Sequence, residues 1–215
     1  MTPLDIFIDP VCPFCYIGKI RLDRALAARP DHGFSLAWHP FQLNPTMPAG
    51  GMARADYLEA KFGQDGAVGM TQQVMEICAA EEIPIDMLGV GRQPNTLDAH
   101  RLIHWAGLEE VQTSMVSALM QAFWVEGRDI GERAELVAIA QSVGLDAVLI
   151  ERLLASDADR EEVLLRDTHA RERGIKAVPT FILSNTHAIE GAQPTQLWLE
   201  VITELRGAAP SAPRQ

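Results

Sequence analysis

A chain of 215 residues with 47% hydrophobic and 22% charged side chains has enough apolar material for one large domain, or for a domain holding a sizeable insertion. Its 29 acidic against 18 basic side chains give a net charge of −11, which opposes binding to nucleic acid or anionic lipid. No stretch approaches the ~18 apolar residues of a membrane span. Met1-Thr2-Pro3-Leu4 lacks the features of a signal peptide, so a cytoplasmic protein with no membrane partner is expected.

Residues 4–8 form a short apolar strand pattern that runs into Asp9-Pro10-Val11 and then Cys12-Pro13-Phe14-Cys15. From Pro13, the positions Ile17, Ile20, Leu22, Ala25 and Leu26 have helical spacing that ends before Pro30. Residues 34–39 alternate as a second strand. From about Arg54 to Gly174 the pattern is wholly helical. Within it, Asn95-Thr96 caps one helix, residues 132–144 carry Leu136, Ile139, Ala140 and Val143 on one face, and residues 157–173 form a charged helix stopped by Gly174.

Strand patterns return at 178–183 and 187–190, joined by the turn signal Ser184-Asn185-Thr186, and a helix follows over 194–205. The order is β-α-β, a helical block, then β-β-α. That order matches an α/β thioredoxin-like fold with a large all-helical insertion between its halves, which is the fold expected. Residues 1–53 and 166–207 are expected to form the thioredoxin-like domain, 54–165 the inserted helical domain, and 208–215 a flexible tail.

The three cysteines of a reducing compartment do not make a structural disulfide framework, so the close pair Cys12/Cys15 points to redox chemistry or metal. Cys12 is placed at a helix N-cap with Pro13 at the first helical position, where a missing N–H costs nothing. First-turn N–H groups and the helix dipole then favour an anionic sulfur, the nucleophilic form. Cys15 lies one turn in on the same face, close enough to close a disulfide. Cys12 is thus expected to be the exposed attacking thiolate and Cys15 the shielded resolving thiol. Zinc would need two further ligands, which only Cys78 and scattered histidines offer, so no metal is expected. Inert burial leaves the intervening proline unexplained.

Val178-Pro179 opens the third strand. With a cis bond there, the backbone of residue 178 would turn outward as an edge beside the dithiol for an extended peptide or a glutathione backbone. An ordinary edge-strand proline is the alternative.

The stretch Asp9-Pro10-Val11-Cys12-Pro13-Phe14-Cys15-Tyr16-Ile17-Gly18-Lys19 resembles the opening of the DsbA superfamily, in particular its FrnE-like cytoplasmic branch. Pro40-Phe41-Gln42-Leu43-Asn44-Pro45, Pro94-Asn95-Thr96, Glu126-Gly127-Arg128-Asp129-Ile130, Val178-Pro179-Thr180-Phe181 and Gly191-Ala192-Gln193 extend the resemblance to about Leu205. It implies a thiol–disulfide oxidoreductase with a cis-proline loop at Val178-Pro179 facing catalytic Cys12 and Cys15. Pro13, Phe14, Val178, Pro179 and His100 are the candidate substrate-binding residues. No bound cofactor is implied beyond the redox-active Cys12–Cys15 disulfide. The implied partners are protein or small-molecule thiols and disulfides, with glutathione a candidate substrate and a monomer or homodimer as the assembly.

The same superfamily contains glutathione-dependent 2-hydroxychromene-2-carboxylate isomerases and kappa-class transferases, which usually carry serine at the position of Cys12; this is the alternative function. Phe14 stands where the branch often has tryptophan, and Ala177 where it often has glycine. Ile6 occupies the place of the buried acid common in thioredoxin-like proteins, leaving Asp9 as its substitute. Among other residues, His39 is expected to be structural and Cys78 a buried core thiol. Phe14, Phe41, Met47, Met52, Phe123 and Trp124 are expected to supply apolar surface around the dithiol.

Overall fold

The computed structural model of the protein describes residues 1–208. Of the tail expected at 208–215, Ala208 closes the last helix and the remainder lies outside the described residues. The elements run β1 (Thr2–Ile8), α1 (Pro13–Ala28), β2 (Phe34–Pro40), β3 (Met52–Ala53), α2 (Arg54–Ala80), β4 (Arg92–Gln93), α3 (Leu97–Leu108) and α4 (Gln112–Trp124). They continue with α5 (Arg133–Ser142), α6 (Ala147–Leu154), α7 (Arg160–Glu172), β5 (Thr180–Leu183), β6 (His187–Glu190) and α8 (Thr195–Ala208).

The main sheet has the order β2-β1-β5-β6. Strand β1 pairs parallel with β2 (Ile6 opposite Trp38) and antiparallel with β5 (Ile6 opposite Phe181), and β5 pairs antiparallel with β6. Leu4, Ile6, Phe7 and Ile8 are all buried, so β1 is covered on both faces, as the continuous apolar run demands. Ser184 and Asn185 both have positive φ, the mirror-image turn that suits a tight hairpin between β5 and β6. This is the expected thioredoxin-like architecture.

Helices α1 and α8 pack together, and Trp198 of α8 meets Phe181 of β5 edge to face at 4.7 Å. The helical block covers the β2 edge. Trp38 donates its Nε1–H to Thr113 Oγ1 at 2.9 Å, and its backbone N–H to Gln112 Oε1 at 2.9 Å, which otherwise would be an open strand edge.

Three features depart from the sequence reading. The block between β2 and β5 is not wholly helical, because β3 and β4 form a two-residue ribbon pairing Met52 with Gln93. Two residues per strand are too few for an alternation to register. Helix α7 packs on both α3 and β2 and runs unbroken through the domain boundary drawn at 165/166. Finally, α2 is one long element interrupted at Gly63, whose φ of 68° and ψ of 168° are non-helical.

Candidate active site

Strand β1 ends at Ile8 and the chain turns through Asp9-Pro10-Val11 into α1. Two contacts hold this turn: Cys12 N–H donates to the Asp9 carbonyl at 3.0 Å, and Trp124 Nε1–H donates to the Pro10 carbonyl at 3.0 Å. Cys12 is the N-cap of α1, with extended φ and ψ and Pro13 opening the helix.

Both cysteines are free thiols, and Cys12 is more enclosed than expected. It is only 4% exposed, because its Sγ sits against the Val178 carbonyl at 3.6 Å, while Cys15 is fully buried. Cys12 is therefore recessed rather than exposed, and it meets solvent through a cavity. Burial, and then the neighbouring Cys12 sulfur, push the Cys15 thiol well above the usual thiol range.

The Val178–Pro179 bond is cis. The Pro179 carbonyl accepts from Gly191 N–H at 2.8 Å, whereas Val178 N–H has no hydrogen-bond partner among the described residues. Gly18, on the second turn of α1, lets this loop approach. A Cβ there would lie 3.1 Å from Pro179 Cγ and 3.3 Å from Ala192 Cα.

The cavity over Cys12 encloses about 300 Å³. It brings together Cys12, Pro13, Phe14 and Val178 from the expected set. It also contains residues the sequence reading missed: Arg54, Tyr57, Lys61 and Phe62 of α2, Gln93 of β4, and Lys176. A larger cavity of about 740 Å³ lies along α2 near Val68 and Met75, but no cysteine or histidine lines it, so it is not where thiol chemistry would occur. Of the apolar residues expected around the dithiol, only Phe14 lines its cavity. Met47 and Met52 line a neighbouring one, and Phe41, Phe123 and Trp124 are core.

His100 does not line the cavity either. It is 2% exposed on α3, with Nε2 unpaired and 3.8 Å from Asp9 Oδ1, so it faces the buried side of the turn and cannot touch substrate there. Asp9 itself is 1% exposed and accepts from Leu43 N–H at 2.8 Å and, weakly, from Val11 N–H at 3.5 Å. Burial outweighs these bonds and raises its carboxyl to about 7. Burial likewise lowers His100 to about 4. His39 is tied between Asp5 and Arg166, and Cys78 is buried and raised by burial, both away from the cavity.

Among the described residues no group of three or more His, Cys, Asp or Glu side chains is placed to hold a metal ion. None of the helices there is long and apolar enough to cross a membrane.

A four-stranded mixed sheet with a Cys-Pro-Phe-Cys helix start facing a cis-proline loop defines a thioredoxin-fold protein of the thiol–disulfide class. The chain belongs to the DSBA-like thioredoxin domain family, whose model matches residues 3–203. It is 26% identical over 202 residues to the uncharacterized protein YwbO of Bacillus subtilis, covering 94% of this chain and 96% of that one. The crystal structure of the probable DsbA oxidoreductase SCO1869 from Streptomyces coelicolor superposes with a TM-score of 0.86 at 27% identity, over 100% of this chain and 94% of that one. The cytosolic disulfide reductase DsbM from Pseudomonas aeruginosa, solved with GSH, shares the fold at a TM-score of 0.68 and 18% identity, over 95% of this chain and 99% of that one.

Proposed function

We propose that the protein is a cytoplasmic thiol–disulfide oxidoreductase whose reacting groups are Cys12 and Cys15. One observation carries this reading. A free thiol at a helix N-cap opens into a cavity beside the unpaired Val178 N–H, with a second free thiol one turn behind it.

The Cys12 thiolate attacks one sulfur of a substrate disulfide, forming a mixed disulfide and expelling the first substrate thiolate. Cys15 then gives up its proton and attacks Cys12 Sγ. The Cys12–Cys15 disulfide forms and the second substrate thiolate leaves, so two electrons pass from protein to substrate. Run backward, the same steps oxidise a dithiol. Pro13, Phe14 and Val178 frame the incoming disulfide, and the Val178 N–H is free to donate to a substrate carbonyl, as in strand addition.

Asp9 is the group we assign as acceptor of the Cys15 proton. It lies near enough to Cys15 to raise its pKa, and it titrates near neutrality. His100 keeps the buried side of that carboxyl polar rather than contacting substrate.

The test is insulin reduction. Cys12→Ser abolishes it, and Cys15→Ser leaves mixed disulfides trapped on Cys12; retention of wild-type activity by both variants overturns the dithiol mechanism. The glutathione-dependent isomerase or transferase alternative has no observation favouring it here. It predicts isomerisation of an aromatic substrate that requires glutathione and survives Cys15→Ser.

A further inference from the structure

The cavity over Cys12 is positively charged in a chain of net charge −11. Arg54, Lys61 and Lys176 line it, and no aspartate or glutamate does. The ion pairs among the described residues involve none of these three. Lys61 reaches only the neutral oxygens of Tyr57 and Asn44.

Arg54 is the unusual member. It is 4% exposed, yet its charge has no carboxylate partner. Nη1 donates to Gln93 Oε1 at 2.7 Å, the guanidinium lies 5.0 Å from the Trp124 ring centroid, and Nε has no acceptor. Burial without a compensating anion lowers it to about 10. An unneutralised buried charge is costly, and an apolar side chain of similar volume would pack there at less cost. The β3–β4 ribbon sets Arg54 and Gln93 side by side, and Trp124 fixes both the guanidinium and the turn before Cys12.

We infer that Arg54 is a carboxylate-binding residue, and that the cavity takes low-molecular-mass disulfides carrying carboxylates. The inference rests on the dithiol reading above and specifies its substrate. The Arg54 fork would hold a carboxylate of the substrate, Lys61 and Lys176 at the rim would draw in further negative charge, and the substrate sulfur would meet Cys12. A cavity of about 300 Å³ suits a thiol of amino-acid to short-peptide size better than the convex surface of a folded protein. Exchange consumes one such disulfide and releases two thiols as Cys12 and Cys15 are oxidised.

The test compares three small disulfides against the reduced full-length protein: 3,3′-dithiodipropionate (dianion), 2-hydroxyethyl disulfide (neutral) and cystamine (dication). Each second-order rate constant is divided by that of free dithiothreitol with the same disulfide, which removes the leaving-group contribution. The normalised rates should fall in the order dianion, neutral, dication, with about tenfold between the first two. Arg54→Gln should cut the dianion/neutral ratio about tenfold, and Arg54→Lys should restore part of it.

Equal normalised rates in the wild type, or an unchanged ratio in Arg54→Gln, overturn the anion site alone. No reaction with any disulfide overturns the dithiol reading and the anion site together. If Arg54→Gln does not fold, the wild type decides. Adipate, a dicarboxylate without sulfur, should slow iodoacetamide alkylation of Cys12 saturably, while 1,6-diaminohexane should not; equal behaviour of the two overturns the site.

Discussion

Asp9 and His100 show how two buried residues can hide each other's signature. Both are almost fully buried, 3.8 Å apart, with Asp167 and Arg166 of α7 as the other charged groups acting on them. Asp9 titrates at about 7 when folded, against 3.8 when unfolded. The folded state thus holds a proton that the unfolded chain has released, and stability falls as pH rises from about 4 to 7. His100 titrates at about 4 against 6.5, so the unfolded chain takes up a proton that the folded state refuses, and stability falls as pH drops from 6.5 to 4. Between pH 4 and 6.5 the two slopes oppose, each worth about 3 kcal/mol across the window. Urea denaturation across that range should find their net contribution nearly flat in the wild type. Asp9→Asn should lose roughly 3 kcal/mol on acidification and His100→Gln should gain a similar amount, relative to wild type. Variants whose curves run parallel to wild type would rule out both titrations. Asp9→Asn should also let the mixed disulfide on Cys12 accumulate, visible by mass spectrometry after acid quench, because Cys15 loses its proton acceptor.

At the scale of elements, α1 and the loop before β5 are a matched pair. Gly18 is where they touch, and alanine there brings two opposed effects. Helix propensity favours it by about 1 kcal/mol, while crowding against Pro179 and the Ala192 backbone costs about 1–3 kcal/mol. Gly18→Ala should therefore lower the urea midpoint and slow disulfide exchange together; a raised midpoint would mean the loop yields freely. The same scale explains what the sequence disclosed. The strand ending before Cys12, the helix opening at Pro13 and the hairpin after Pro179 rest on local patterns and turn residues, so they were readable. Phe14 and Val178 were named because they adjoin a motif. Arg54 and Gln93 line the cavity over Cys12 only because a two-residue ribbon brings a distant segment there, and no periodicity encodes such a ribbon. Lys176 was within reach of the reading, two residues before Val178. A buried, unpaired arginine was not, since sequence treats Arg as surface by default.

For the whole molecule, the buried apolar side chains of the sheet and of the helical block form one continuous cluster. Trp38 of β2 and Trp198 of α8 report from one part, and Trp105 of α3 and Trp124 of α4 from the other. Phe variants that leave a single tryptophan in each part should unfold at the same urea concentration as the far-UV CD signal, in one transition. Separate midpoints would mean that the helical block is an independent unit joined by a weak interface.

For the exchange proposed above, the recess around Cys12 would also act as a sieve. A cysteine that is 4% exposed and reached through a chamber of about 300 Å³ meets only groups small enough to enter it. Small disulfides pass, as does a single extended strand with a protruding cystine. A disulfide braced on the convex face of a folded protein is kept out by the bulk around it, whatever its reduction potential. On the proposed dithiol reading, access as well as electron affinity then decides which disulfides are exchanged.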